Sequence, residues 1–212
     1  MNPSDPEQSP ASNWAFAAAY HPWYLQGEPD LSKIENLIGD PRVVAVGETG
    51  LDHVRHKTDE ERARVERWFV AHAALAAEEG LPLIVHCVRA HADCIRALKS
   101  IGRGRLRGVI HAFSGSPEIA AEYWRLGFYV GIGAAVTRER SKRVRRAAVH
   151  LPLETILLET DAPFMATRDK SRDQGEAADI LHVVDTVASL RAQPSAAIAE
   201  TTYASAAELF AV

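Results

Sequence analysis

The chain has 212 residues, of which 47% are apolar and 25% are charged, and its 24 basic and 28 acidic side chains give a formal net charge of −4. This composition is ordinary for a folded globular protein of one domain, and it excludes a strongly basic protein that coats nucleic acid. A local basic patch is enough to bind a phosphate backbone, so nucleic acid stays open as a substrate.

The N-terminal segment predicts neither a leader nor a membrane anchor. No apolar run approaches the roughly 20 residues that span a bilayer, and residues 1–12 lack the basic and apolar regions of a secretory signal. We therefore expect a cytoplasmic protein with no membrane partner. Residues 1–13 are polar and carry three prolines, which predicts a disordered tail before a single domain over 14–212.

From residue 14 onward, short apolar runs alternate with segments of helical period. Six runs are predicted as strands: Trp14–Tyr20, Val43–Val46, Leu81–Val85, Gly108–Ile110, Phe128–Ile132 and Thr155–Leu158. Helices are predicted over Asp59–Glu79, through Ile95 and Leu98, from Pro117 to Gly127, across the Arg-rich stretch after Ile132, and over Glu176–Arg191 and Pro194–Phe210.

The predicted strands are continuous apolar runs, which indicates that both of their faces are buried. Parallel strands covered by helices have this pattern, so the fold class is α/β. The alternation itself leaves an open doubly wound sheet and a barrel as alternatives.

Four of the predicted strands end in a residue that is able to bind a metal. These residues are Glu48, His86, His111 and Asp161. Because the carboxyl ends of parallel strands meet at one rim, we expect the four side chains to converge there, as in barrel enzymes. Two carboxylates and two imidazoles suit Zn, Mn, Mg or Fe, and a cation would offset the cost of burying them.

Three further residues are predicted to bind substrate. Arg89, three residues beyond His86, is placed to donate two hydrogen bonds to one phosphate. His21 follows the first predicted strand. Ser114 begins a Ser-Gly-Ser segment that would offer hydroxyls and helix N-terminal N–H groups to a phosphate, or that is an ordinary helix cap. The basic stretch from Arg138 to Arg146 is more typical of a solvated outer helix than of a phosphate site, although its start follows a strand end.

At these residues the sequence resembles the TatD family of metal-dependent deoxyribonucleases. The matching segments, in family order, are YHP at 20–22, VGETGLD at 46–52, IVHCVRA at 84–90, IHAFSGS at 110–116, GIG at 131–133 and LETDAPF at 158–164. The resemblance implies a TIM-type barrel with one or two divalent ions, Mg, Mn or Zn, and DNA as the substrate, often cleaved from a 3′ end. It implies that Glu48 bridges two metals, that His86 and His111 complete one of them, and that Asp161 binds the other and takes a proton from the attacking water.

The sequence departs from the family pattern at its start. The family's first strand carries an HxH pair of ligands, and no HxH occurs in this chain; His53 and His56 follow the glutamate strand and cannot replace it. We therefore expect about six of eight barrel strands, with open edges at Trp14–Tyr20 and Thr155–Leu158 that favour a homo-oligomer. The departure leaves two alternatives to a metal-activated DNase: a catalytically impaired remnant, and a related amidohydrolase acting on a lactone, amide or amine.

Overall fold

The computed structural model describes residues 14–101, 104–167, 171 and 174–212 of the chain. Six strands form one sheet in the order of the sequence, and every neighbouring pair is parallel. They are β1 (Phe16–Ala18), β2 (Val43–Asp52), β3 (Leu83–Val88), β4 (Gly108–Ile110), β5 (Phe128–Ile132) and β6 (Ile156–Leu158). The α/β class and the six strands are confirmed. Among the described residues β1 and β6 each have one neighbour, so the sheet is not closed.

Helices connect the strands and cover the sheet. They are α1 (Ser32–Ile38), α2 (Asp59–Glu79), α3 (His91–Ile101), α4 (Pro117–Trp124), α5 (Lys142–His150), α6 (Ile180–Arg191) and α7 (Ser195–Phe210). Helix α1 was not predicted, and α4 ends three residues before Gly127. The predicted tail, 1–13, lies outside the described residues. No helix in the described part of the chain is long and apolar enough to cross a bilayer.

Helix α2 shows how local signals position an element on the sheet. A capping box between Thr58 and Glu61 begins the helix, and Gly80 ends it in the left-handed conformation. Its inner face buries Val65 and Phe69 in the core against β2. Each large apolar side chain buried in this way contributes about 1.5–3 kcal/mol.

Two of the predicted strand ends that differ from the structure concern the candidate site. Glu48 and His86 lie inside β2 and β3, which continue to Asp52 and Val88. The pairing of β2 with β3 shifts by one residue at Glu48, between Gly47 and Thr49, so Glu48 occupies a bulge. A bulge re-aims a side chain without ending the strand, which is why the apolar run alone misplaced this end.

Candidate metal centre

The first half of the candidate site is built on β2 and β3. His86 lies between two carboxylates: its Nδ1 is 2.6 Å from Glu48 Oε1, and its Nε2 is 3.2 Å from Asp52 Oδ2. The close approach of the two strands depends on Gly50, where a Cβ would lie 2.1 Å from the carbonyl oxygen of His86. The two strands therefore hold the imidazole and both carboxylates in one fixed arrangement.

His21 approaches this group from the segment after β1. Its Nε2 is 3.7 Å from Glu48 Oε2, and single ligand atoms of His21, Glu48 and His86 all lie within 4.8 Å of one another. The backbone N–H of Trp23 donates to His21 Nδ1 at 3.3 Å, so in the neutral ring the proton is on Nε2. Burial lowers the pKa of His21, although the charge of Glu48 acts in the opposite direction. His21 thus presents an N–H donor to the site.

The second half of the site is built on the segments after β4 and β6. His111 Nδ1 is 3.1 Å from Glu159 Oε1, and its Nε2 is 3.6 Å from Asp161 Oδ1. The backbone N–H of Ala112 donates to the same Glu159 oxygen at 2.6 Å. A Cβ at Gly131 would lie 2.3 Å from Glu159 Oε2, so a glycine on β5 makes room for this carboxylate.

In each half of the site, an imidazole is paired with neighbouring carboxylates of opposite charge. Burial alone lowers the pKa of His111, but the charge of Glu159 and hydrogen bonds to Asp161 and Glu159 outweigh it and raise the pKa to about 11. Burial also lowers the pKa of His86, and the hydrogen bond to Glu48 reverses the effect and raises it. Burial raises the pKa of Glu48, but the bond from His86 and the charges of His111 and His86 bring it below its usual value. Carboxylates and imidazoles arranged in this way are a donor set that fits a divalent cation, which would displace the imidazole protons.

The two halves open into one cavity of about 550 Å³. Its lining includes all four residues predicted as metal ligands, Glu48, His86, His111 and Asp161, together with His21 and Ser114. The structure thus brings together six of the seven residues that the sequence singled out. The seventh, Arg89, is exposed beyond β3 and is not among the lining residues.

Sequence reasoning missed two carboxylates that hold the histidines. Asp52 accepts from Trp23 Nε1 at 2.9 Å in addition to contacting His86, and Glu159 holds His111. Asp52 ends the VGETGLD segment, and Glu159 lies in the LETDAPF segment two residues before Asp161. Both segments carry the family resemblance, and this was the signal in the sequence that could have identified the two carboxylates. Such outer carboxylates orient histidine ligands in metal sites.

The two histidines that follow β2 lie outside the cavity, as expected. His53 Nε2 is 3.4 Å from Asp93 Oδ2, and His56 Nδ1 is 3.0 Å from the carbonyl oxygen of Asp52. Neither lines the cavity. They therefore support neighbouring segments and do not add donors to the site.

Comparisons with known proteins point to one family. A family model described as "TatD related DNase" matches residues 7–211. The "3'-5' ssDNA/RNA exonuclease TatD" of Edwardsiella piscicida is 37% identical over 205 residues, covering 93% of this chain and 77% of that protein. The "Uncharacterized metal-dependent hydrolase YabD" of Bacillus subtilis is 32% identical over 185 residues, covering 87% and 72%.

Solved structures give the same result for the fold. The TatD homologue YJJV of Escherichia coli superposes with a TM-score of 0.85 at 31% identity, covering 95% of this chain and 80% of that one. A TatD family hydrolase of Entamoeba histolytica gives a TM-score of 0.78 at 19% identity, covering 92% and 74%, and bears on the fold alone.

Proposed function

Starting from the fact that the chain belongs to the TatD family of metal-dependent hydrolases, we propose that it cleaves phosphodiester bonds in nucleic acid, with single-stranded DNA as the substrate. One observation carries this proposal. Two carboxylates and two imidazoles from four separate segments line one cavity, in the pairs Glu48–His86 and His111–Asp161.

In this proposal Glu48, His86, His111 and Asp161 hold one or two divalent ions of Mg, Mn or Zn. A cation bound there supplies Lewis-acid chemistry, because it lowers the pKa of water and offsets the charge of the scissile phosphate. Glu48 would be shared between the two halves of the site, since it bonds to His86 and the charge of His111 also lowers its pKa.

Polar groups of the cavity would also accept the proton and orient the phosphate. The side chain of Asp161 is 36% exposed, so its carboxylate is accessible from the cavity and would take the proton of the attacking water, while Glu48 would hold the cation that activates that water. The Nε2–H of His21 and the hydroxyl of Ser114 are donors for phosphate oxygens. Arg89 would contact only a phosphate that extends out of the cavity.

The walls of the cavity favour a nucleotide over a small lactone or amide. Trp23, Tyr24 and Phe164 line it and are 43%, 76% and 63% exposed. Exposed aromatic rings beside a metal site offer stacking faces to nucleobases, and stacking is the usual means of holding single strands. A volume of about 550 Å³ lies in the range of ligand sites.

Hydrolysis of a labelled single-stranded oligonucleotide, measured with Mg, Mn or Zn and with chelator, tests the proposal. We expect cleavage that requires the added cation and that Glu48→Gln abolishes, because the amide removes a charged ligand while preserving shape. Glu78→Gln, on the exposed face of α2, is the matched control and should cleave normally.

Cleavage that persists in chelator, or in Glu48→Gln, would contradict the proposal. A folded protein that takes up almost no metal and cleaves nothing would instead support the impaired remnant. Hydrolysis of lactones or amides without cleavage of nucleic acid would support the amidohydrolase alternative.

A further inference from the structure

We infer that a basic groove beside the metal cavity binds the phosphates of the nucleic-acid strand next to the scissile bond; this inference rests on the proposed function. The groove has a volume of about 380 Å³ and is lined on one side by Arg140, Lys142 and Arg143, at the start of α5. Ser114 and Ala135 form part of its other side.

The groove adjoins the metal cavity. Ser114 and Ala135 line both spaces, and they follow the carboxyl ends of β4 and β5. A strand whose scissile phosphate lies near Glu48 and Asp161 can therefore pass over Ser114 and reach the basic side chains without leaving the surface. The sequence left Ser114 as either a phosphate contact or part of a helix cap, and its place in both linings favours the phosphate contact.

Two other arginines of the basic stretch, Arg138 and Arg145, already have structural roles. Arg138 Nη2 donates to the carbonyl oxygen of Ala166 at 2.6 Å, and Arg145 Nη1 donates to that of Val136 at 2.8 Å. The one acid of the stretch, Glu139, lines a different cavity together with Arg145. Arg138 and Arg145 thus hold loops, whereas Arg140, Lys142 and Arg143 line the groove.

The three cations of the groove are available to a ligand. Arg140, Lys142 and Arg143 are exposed, and within the described part of the chain they take part in no ion pair. Three positive charges around one concave surface bind successive phosphates better than a solvated helix face would. Nucleic acid is favoured over an acidic peptide because the adjoining cavity carries the aromatic residues Trp23, Tyr24 and Phe164, which stack on bases.

The test compares two triple variants of equal charge. Arg140→Gln/Lys142→Gln/Arg143→Gln removes the groove cations, and Arg105→Gln/Arg107→Gln/Arg125→Gln removes three exposed cations that immediately precede β4 and β5, at the opposite rim. Both change the net charge from −4 to −4 − 3 = −7. Circular dichroism and thermal unfolding establish that each variant is folded.

Binding of a fluorescent single-stranded oligonucleotide, measured in chelator between about 50 and 200 mM salt, is the first readout. We expect the groove variant to bind on the order of 10-fold more weakly at low salt, with a salt slope smaller by about 2, since each phosphate contact on a single strand contributes about 0.7. The second readout is hydrolysis with added cation. In the groove variant, the ratio of the rate on an oligonucleotide to the rate on a dinucleotide should fall by a similar factor. The rim variant should match the unmodified protein in both.

Equal affinity and equal salt slope for the two folded variants would overturn the inference, as would polyglutamate binding the groove as tightly as the oligonucleotide. Failure of the proposed function has a separate signature. In that case the unmodified protein hydrolyses neither the dinucleotide nor the oligonucleotide with any cation, whatever the binding results of the variants.

Discussion

Asp52→Asn should loosen the metal site without removing a proposed ligand. Asp52 Oδ2 accepts from Trp23 Nε1 at 2.9 Å and faces His86 Nε2 at 3.2 Å, while Oδ1 accepts from the backbone N–H groups of Val54 and Arg55 at 2.9 and 3.0 Å. An asparagine amide has one oxygen and one NH₂ group. Whichever way it turns, one pair of these donors then faces another donor.

The magnitude follows from those contacts. Leaving two partly buried donors without an acceptor costs about 2 kcal/mol, which lowers Tm by roughly 4–8 °C in a chain of this length. His86 also loses the carboxylate that fixes its ring, and loss of such a partner typically weakens metal binding by about 10–100-fold. Thermal unfolding without metal and calorimetric titration with Zn measure the two effects separately.

Asp93→Asn is the matched control. Asp93 pairs with His53 and Arg96 outside the cavity, and its side chain is 31% exposed, so its loss should cost less than about 1 kcal/mol and leave metal affinity unchanged. The reasoning is refuted if Asp52→Asn keeps the Zn affinity of the unmodified protein and if the NMR titration of His86 does not shift. A lower Tm alone would indicate a purely structural role.

Two further predictions concern the cavity wall and acid stability. Phe164→Ala should raise the KM for a single-stranded oligonucleotide roughly 10-fold through lost stacking, whereas Phe164→Tyr keeps the ring and should change it little; equal KM values in both variants would count against a base at this wall. Burial lowers the pKa of His72, despite its bond to the carbonyl oxygen of Trp68, and its Nε2 accepts from the N–H of Tyr20 at 3.1 Å. The stabilisation that neutral His72 contributes is complete above the unfolded pKa of about 6.5. It is lost as the pH falls from there through the lower folded pKa, so the free energy of unfolding measured with urea should fall in that range. His72→Gln should flatten the dependence, and an equally steep loss in that variant would assign the acid sensitivity to other groups.

Features of the fold that depend on neighbours along the chain were predictable from the sequence. The bounds of α2 follow from Thr58, Glu61 and Gly80, which cap it, and from apolar side chains at helical spacing. The parallel sheet follows from apolar runs that leave no polar face. Helix α1 was missed because it is short and buries one side chain, Ile34, so it has no apolar stripe for a periodicity argument.

Features of the site that depend on the pairing of separate strands were not predictable. The bulge at Glu48 arises from the register of β2 against β3, and the apolar pattern of either strand alone does not determine that register. Asp52 acquires its role because the same pairing places it beside His86, 34 residues away in sequence. Arg89 shows the converse: its spacing from His86 indicated a shared site, but the chain adopts a left-handed conformation there, with φ of 52°, and the side chain is exposed.

The shared cavity does not require a closed sheet. β1 and β6 are the two edges of the sheet in the described part of the chain, yet the segments after both of them line the same cavity, with His21 and Tyr24 from one side and Asp161 and Phe164 from the other. A parallel sheet twists and curves as strands are added, so the carboxyl ends of distant strands approach across its concave face even where their backbones do not pair. Convergence at one rim therefore depends on strand direction and sheet curvature. For that reason Glu48 and His86, near the carboxyl ends of β2 and β3, and His111 and Asp161, after β4 and β6, share one cavity although the sheet is not closed among the described residues.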